Sequence, residues 1–111
     1  MQDQANAYKV TMIFVMEYED GNLKLARACW NRMTNEFREK VTEWKSGFTE
    51  ITVRGEWRSV EDNDSRMYSI TVSTLEQVEW LRNFVKRWRI PFGQETMYFD
   101  YHPVHFDLVG D

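Results

Sequence analysis

The stretch YKVTMIFVMEY, residues 8–18, places an apolar or aromatic residue at every even position. Its odd positions are polar at both ends and apolar only in the middle, at Ile13 and Val15. An alternation of period two predicts a β-strand, and a second face that is partly apolar is typical of a strand inside a sheet. The sequence therefore predicts a long central strand here, and the rest of the chain must supply its neighbours.

Two later segments have the periodicity of amphipathic helices. From residue 23 to residue 44, apolar residues recur at spacings of three and four, and Ser46 and Gly47 then favour a helix stop. A second apolar stripe runs over residues 75–88, and Pro91 ends it. Its capping box has two candidate registers, which are Ser73 with Glu76 and Thr74 with Gln77.

A hairpin is expected between the two helices. Residues 48–57 alternate as a strand, and Gly55 within them indicates a bulge. The residues of this strand that we expect to face the core are Ile51, Val53 and Trp57. A polar loop over residues 59–65 and a strand over residues 66–73 would complete an antiparallel pair.

A last strand is expected over residues 96–101, with a short extra C-terminal strand over residues 104–108 as a further candidate. The resulting order of strand, helix, strand, strand, helix and strand predicts an α+β fold, the ferredoxin-like βαββαβ sandwich. Two helices would cover one face of a four-stranded antiparallel sheet. We expect residues 1–7 to form a flexible N-terminus and residues 8–109 to form the single domain.

The sheet face opposite the helices is expected to be rich in Thr and Ser, with a few apolar and basic groups. The residues predicted to line it are Lys9, Thr11, Ile13, Val15, Glu50, Thr52, Arg54, Glu56, Met67, Ser69, Thr71, Thr96 and Tyr98. Folds of this type commonly use such a face for dimerisation or for a ligand. It is therefore a candidate surface for a homodimer or a higher homo-oligomer.

Composition narrows the classes of protein that fit the chain. Its 111 residues include 15% aromatic side chains, enough for one core without covalent staples, and Cys29 has no second cysteine to pair with. A net charge of −4 does not favour attraction to nucleic acid. The polar start, the absence of an apolar run of about 20 residues and the absence of a cofactor motif predict a cytoplasmic protein with no membrane span and no cofactor.

Four short motifs occur in order along the chain. They are Gly47-Phe48-Thr49, Gly55-Glu56-Trp57-Arg58, Asp64-Ser65-Arg66 and Phe92-Gly93-Gln94-Glu95-Thr96-Met97. Together, over about residues 8–101, they resemble the motifs of a family of small bacterial and phage proteins of unknown function. The chain departs from that pattern in its acidic loop at residues 61–64, and its polar start predicts no export signal. The resemblance implies no established activity.

Polar residues of these motifs suggest a ligand site at one end of the sheet. Gly93 is expected to adopt a positive φ that turns the chain from the second helix into the last strand. Gln94 and Glu95 would then either bind loop amides or help to form a polar pocket for a small anionic ligand. The candidate ligand-binding residues are Glu56, Arg58, Gln94, Glu95, Arg54 and Tyr98.

Two other groups carry possible chemistry. His102 and His105, with Glu95, would be the acid–base residues of a small hydrolase or isomerase-like enzyme, but their spacing around Pro103 fits no shared face, and surface roles are favoured over a metal site. The second helix has a basic stripe that favours a solvated face over a nucleic-acid contact. The stripe consists of Arg82, Lys86, Arg87 and Arg89.

These patterns favour a small non-catalytic binding protein that self-associates and binds a small anionic ligand or a protein partner. Its size and the lack of a catalytic motif fit a phage or mobile-element accessory protein, such as a host-defence inhibitor or a ligand sponge. The alternatives are the small enzyme and a nucleic-acid-binding module on the second helix. The sequence does not indicate which ligand is bound or what the oligomer symmetry is.

Overall fold

A computed structural model of the chain describes residues 6–16, 23–53, 56–57, 60–61, 64–107 and 109–110. In chain order its elements are β1 (Ala7–Met16), α1 (Leu23–Glu43), β2 (Phe48–Val53), β3 (Glu56–Trp57), β4 (Val60–Glu61), β5 (Asp64–Val72), α2 (Leu75–Trp88) and β6 (Tyr98–Val104). Apart from the short strands β3 and β4, this is the predicted order of elements.

The strand β1 lies inside the sheet, as its alternation predicts. The strand order is β2-β5-β1-β6, and all neighbouring pairs are antiparallel. The even positions of β1 from Val10 to Met16 belong to one core with residues of both helices, whereas its odd positions from Lys9 to Val15 are partly or fully exposed. Both helices therefore cover one face of the sheet, and the predicted ferredoxin-like sandwich is confirmed.

The predicted single strand over residues 48–57 is wrong, because it divides into two. β2 pairs with β5 and ends at Val53, whereas β3 pairs with β4 in a separate two-stranded sheet. The predicted loop is correspondingly shorter, since β4 lies within it and β5 begins at Asp64. Gly55 and Ser59 lie outside the described residues.

Aromatic rings fill the layer between the helices and the sheet. Phe92, which follows α2, is 1% exposed, and its ring centroid lies 4.7 Å from that of Trp30 and 5.5 Å from that of Phe14. Phe14 in turn meets Phe84 of α2 edge to face, with a centroid distance of 6.0 Å. Such pairs add to the free energy that each ring gains from burial. Core packing thus accounts for much of the aromatic content.

The helix ends show which cap signals the chain uses. Thr74 is the N-cap of α2, and its hydroxyl accepts a hydrogen bond from the Gln77 backbone N–H while the Gln77 side chain accepts one from Thr74. This arrangement decides between the two predicted capping boxes. After α2, Gly93 has a φ of 73°, as the sequence predicts.

The end of α1 differs from the predicted stop at Ser46 and Gly47. Lys45 adopts the left-handed conformation, with a φ of 57°. The Ser46 N–H donates to the Val41 carbonyl and the Lys45 N–H donates to that of Thr42, which is the hydrogen-bond pattern of a Schellman motif. The residue with positive φ is therefore a lysine, two positions before the expected glycine.

The last strand continues further than predicted. β6 runs without interruption through Pro103 to Val104, and residues 105–107 are not a strand. An edge strand tolerates a proline, because one side of its backbone has no ladder to join. The prediction of a separate strand over residues 104–108 is therefore wrong for the described part, with Leu108 outside it.

The Asn6 side chain holds the segment that follows β6. Its Nδ2 donates a hydrogen bond to the Phe106 carbonyl, and its Oδ1 accepts one from the Phe106 N–H.

Candidate functional site

The register of β2 reverses the predicted orientation of its side chains. Phe48 pairs with Ile70, which is 1% exposed, and Ile51 pairs with Met67. Paired residues of an antiparallel ladder point to the same face, so Phe48 faces the helices and Ile51 faces the open side. Glu50, like Phe48, therefore faces the helices. The predictions that Ile51 faces the core and that Glu50 and Thr52 line the open face are wrong.

Phe48 explains this reversal. Its ring centroid lies 4.7 Å from that of Phe37 on α1, in an edge-to-face contact. A phenyl ring buries more apolar area than the side chain of Ile51, so the free energy of burial favours the register with Phe48 inside. As a consequence, the charged side chain of Glu50 also faces the helices. Its Oε1 lies 4.0 Å from Nη1 of Arg66 on the neighbouring strand.

The open face carries an apolar row that crosses all four strands. Met67 pairs with both Ile51 and Ile13, and Ile13 pairs with Tyr98. The row therefore reads Ile51, Met67, Ile13 and Tyr98 from one sheet edge to the other. Its two end residues are 44% and 47% exposed, respectively. A row of this kind is an unusual feature on a solvent-facing sheet, because the outer face of an antiparallel sheet is ordinarily polar.

A polar row lies directly beside this apolar row. Thr49 pairs with Ser69, Ser69 with Thr11, and Thr11 with Asp100. On the next row Lys9 lies between Thr71 and His102. Among the described residues of the open face, Lys9 and Asp100 are the permanent charges, one of each sign, whereas the whole chain carries −4.

Tyr98 and Asp100 are hydrogen-bonded to each other on the open face. The Tyr98 hydroxyl donates a hydrogen bond to Asp100 Oδ2. This hydrogen bond and the negative charge of the carboxylate raise the pKa of Tyr98. The phenol is therefore held neutral, with its ring in the apolar row and its hydroxyl directed to the polar row.

The predicted ligand site at the end of the sheet is only partly described. Arg54, Arg58 and the side chain of Glu56 lie outside the described residues. Gln94 has a buried Nε2 with no hydrogen-bond acceptor in the described part of the chain. The backbone carbonyl of Glu95 accepts a hydrogen bond of 3.3 Å from Arg89 Nη1, which ties this loop to the end of α2.

The basic stripe on α2 is largely engaged within the molecule. Arg82 lies 3.8 Å from Glu79 Oε1, and Arg87 donates a hydrogen bond to Glu36 Oε1 on α1. That hydrogen bond is the main reason why the pKa of Glu36 is lowered. With Arg89 bound to the Glu95 carbonyl, three of the four cations have intramolecular partners. The nucleic-acid contact stays a prediction that this arrangement does not favour.

The candidate acid–base residues are distributed along β6. Glu95 precedes this strand of seven residues and His105 follows it, while His102 lies on the open face opposite Lys9. A strand of this length separates its ends by about 20 Å. Glu95 and His105 therefore do not share a site. Among the described side chains, no group of three or more His, Cys, Asp or Glu could hold a metal ion.

The sequence predicts that Tyr98, Ile13 and Met67 lie on the open face, but it does not predict Ile51 and Asp100 there. The alternation of β2 is ambiguous, because Phe48 and Ile51 are both apolar and belong to opposite faces. Asp100 lies two residues after Tyr98 in the last strand and therefore on the same face. The alternation of this strand could have identified Asp100 as a residue of the open face. The long-range register alone places Asp100 beside Thr11.

Comparisons with known proteins support the fold. No family model matches the chain, and no curated protein matches it significantly. Among solved structures, the chain is similar to a DUF3240 family protein from Shewanella baltica OS155, with a TM-score of 0.55 and 10% identity over 96% of this chain and 99% of that one. A likeness at this identity concerns the fold. In the described part of the chain, neither helix is long and apolar enough to cross a membrane.

Proposed function

We propose that the protein is a small non-catalytic binding protein that self-associates through the open face of its sheet. The observation that carries this proposal is the apolar row of Ile51, Met67, Ile13 and Tyr98. Removing apolar surface from water is favourable, and a continuous apolar strip on a solvent-facing sheet is typical of an interaction site. A second copy of the chain would cover this strip.

The charges of the open face are compatible with self-association. Lys9 and Asp100 balance each other there, although the chain has a net charge of −4. Like charges opposed across an interface disfavour association. A face with balanced charge allows two identical copies to approach with little net repulsion.

The size of the face predicts a reversible dimer. The four strands of the sheet have 10, 6, 9 and 7 residues. At about 3.4 Å per residue and about 4.8 Å between strands, they give a face of about 520 Å². Two such faces bury about 1,000 Å² in total, below the range of about 1,200–2,000 Å² for stable complexes. A dissociation constant in the micromolar range is therefore expected.

Sedimentation velocity over a range of micromolar concentrations tests this proposal. The unmodified protein should shift from monomer to dimer as its concentration rises, and Ile51→Lys should remain monomeric because a charge would enter the apolar row. Leu25→Lys is the matched control, since Leu25 is a 70% exposed apolar residue on α1, away from the open face.

Two outcomes would reject the proposal. One is an unmodified protein that stays monomeric throughout the concentration range. The other is a dimer that persists in Ile51→Lys and is lost in Leu25→Lys, because that result would place the interface on the helical side.

A small anionic ligand is a second proposal for the Gln94 end of the sheet. The buried Gln94 Nε2 supports it, because this donor lacks an acceptor among the described residues. Thermal denaturation with inorganic phosphate and with nucleotides should show a raised midpoint that Gln94→Leu abolishes. An unchanged midpoint with every compound would reject this second proposal. The role of a phage accessory protein, and the family resemblance, stay hypotheses.

A further inference from the structure

We infer that the two copies pack with their apolar rows reversed end to end, so that Ile51 of each copy contacts Tyr98 of the partner subunit. This inference rests on the proposed self-association through the open face and adds the arrangement of the second copy. It follows from the symmetry of the rows and from the chemistry of the rows beside them.

A two-fold axis in the plane between the faces can place the apolar row against its own copy in two ways. An axis parallel to the strands, between β1 and β5, reverses the row, so that Ile51 meets the partner's Tyr98 and Met67 meets the partner's Ile13. An axis along the row itself places every residue against its own counterpart. Both arrangements bury the same apolar residues.

The neighbouring rows distinguish these two arrangements. With the axis parallel to the strands, the row of Thr49, Ser69, Thr11 and Asp100 lies against its own copy, and Thr49 faces the partner's Asp100. Hydroxyl and carboxylate groups then have polar partners. With the axis along the apolar row, the polar row of one copy instead lies against a different row of its partner. That row contains Val15 and flanks the apolar row on the side opposite the polar row, so Thr11 is buried against the partner's Val15.

Burial of a hydroxyl against an aliphatic side chain is unfavourable unless the hydroxyl keeps a hydrogen bond. On the row of Val15, the reversed arrangement sets Val15 against the partner's Ser65, but Ser65 is only 3% exposed within its own chain, so no exposed hydroxyl loses water there. The reversed arrangement therefore avoids the penalty at Thr11, and it places apolar residues on apolar residues in one row and polar residues on polar residues in the other. Both arrangements keep the strands of the two sheets nearly aligned, as in most face-to-face sheet packings, so alignment does not separate them. The dimer would then have four layers, with helices outside and the two sheets inside.

Site-specific cross-linking distinguishes the arrangements. Ile51 and Tyr98 lie on the two edge strands, so in the reversed dimer the two copies of Ile51 are separated laterally by three strand spacings, about 14 Å. We would prepare Ile51→Cys and Tyr98→Cys in the full chain with Cys29→Ala, and treat them with a bismaleimide shorter than that separation. Cys29→Ala without a new cysteine is the control.

The reversed arrangement predicts a covalent dimer in a mixture of Ile51→Cys and Tyr98→Cys, and at most traces with either variant by itself. Cross-linking of each variant with itself, or a dimer that cross-links in no mixture, would overturn the arrangement while leaving self-association intact. A monomeric protein in sedimentation velocity would instead overturn the proposed function. The two failures are therefore distinguishable.

A charge-swap experiment without cross-linker gives a second measurement. Ile51→Lys should be monomeric alone, and mixing it with Tyr98→Glu should restore a heterodimer, because the new lysine would face the new glutamate in the reversed arrangement. Ile51→Lys mixed with Ile51→Glu should stay monomeric. Restoration in the second mixture and not in the first would overturn the inference.

Discussion

Arg66 lies over the indole ring of Trp30, with its guanidinium carbon 4.2 Å from the ring centroid. Trp30 is 2% exposed, so the arginine of β5 covers an α1 tryptophan that packs in the core. Oε1 of Glu50 lies 4.0 Å from Nη1 of this guanidinium. The contact between Arg66 and Trp30 joins the sheet to α1 beside the edge strand β2. A change of one residue in the register of β2 would turn Ile51 toward the helices.

The first prediction concerns this contact. Arg66→Ala should lower the free energy of unfolding by about 1–2 kcal/mol, because it removes both a partly desolvated cation–π contact and the packing of the side-chain stem. Arg66→Lys should recover only part of the loss, since an ammonium group does not stack. Urea denaturation measures the effect, and exposed Arg38→Ala is the control. Equal values for the two alanine variants would contradict the prediction.

The second prediction uses the two residues with positive φ. Lys45→Gly should raise the free energy of unfolding by about 1 kcal/mol, because glycine adopts the left-handed conformation without a Cβ penalty. Gly93→Ala should lower it by a similar amount. No heavy atom lies within 4 Å of a Cβ added at Gly93, so the loss would come from the backbone. In thermal denaturation, the midpoint should rise in Lys45→Gly and fall in Gly93→Ala. Shifts of the same sign in both variants would contradict the prediction.

The third prediction concerns the aromatic core. Phe92→Ala should lower the free energy of unfolding by about 3–5 kcal/mol, because it leaves a cavity between Trp30 and Phe14. Phe92→Leu fills more of that space and should cost less. Phe106→Ala is the matched control, because Phe106 is 44% exposed. A loss at Phe92 no larger than that at Phe106 would show that the ring does not hold the layers together.

The fourth prediction is a pH dependence that originates at Glu36. This carboxylate accepts hydrogen bonds from Arg87 and from Trp88 Nε1, and its pKa is lowered from 4.5. A lowered pKa in the folded state stabilises the protein above the unfolded value, and this stabilisation is lost as the pH falls through the folded value. Glu36→Gln should therefore be less stable than the unmodified protein at neutral pH.

Below about pH 4.5 the difference between Glu36→Gln and the unmodified protein should decrease steadily. Urea denaturation at a series of pH values measures it, and exposed Glu39→Gln is the control. A difference that stays constant down to the lowest pH would show that the charge of Glu36 does not contribute.

The fifth prediction concerns Tyr68. Burial, followed by the nearby Glu50 carboxylate, raises the pKa of Tyr68 from 10.0 to about 12. Because the folded state retains the phenolic proton longer than the unfolded state, stability should fall as the pH rises between these two values. Tyr68→Phe should remove this part of the alkaline loss of stability. A phenolate absorbance titration in which Tyr68 ionises with the exposed tyrosines would contradict the prediction.

The sequence predicts most of the fold and part of the candidate surface. The alternation of residues 8–18 correctly places β1 inside the sheet, and Gly93 is correctly recognised as a local signal. The sequence also predicts a capping box at the start of α2, but the structure decides that Thr74 rather than Ser73 is its N-cap. These features depend on residues close in sequence. The sequence does not predict the end of α1 at Lys45, because a lysine carries no signal for positive φ.

Local chemistry thus determines the elements of this protein, since hydrophobic period, caps and glycine act within a few residues of each other. The tertiary structure alone decides which side of β2 faces the helices. Packing of Phe48 on Phe37 contributes more free energy of burial than burial of Ile51 would. This difference arises only when α1 and β5 are folded beside β2. The same choice moves Ile51 to the open face and completes the apolar row from edge to edge.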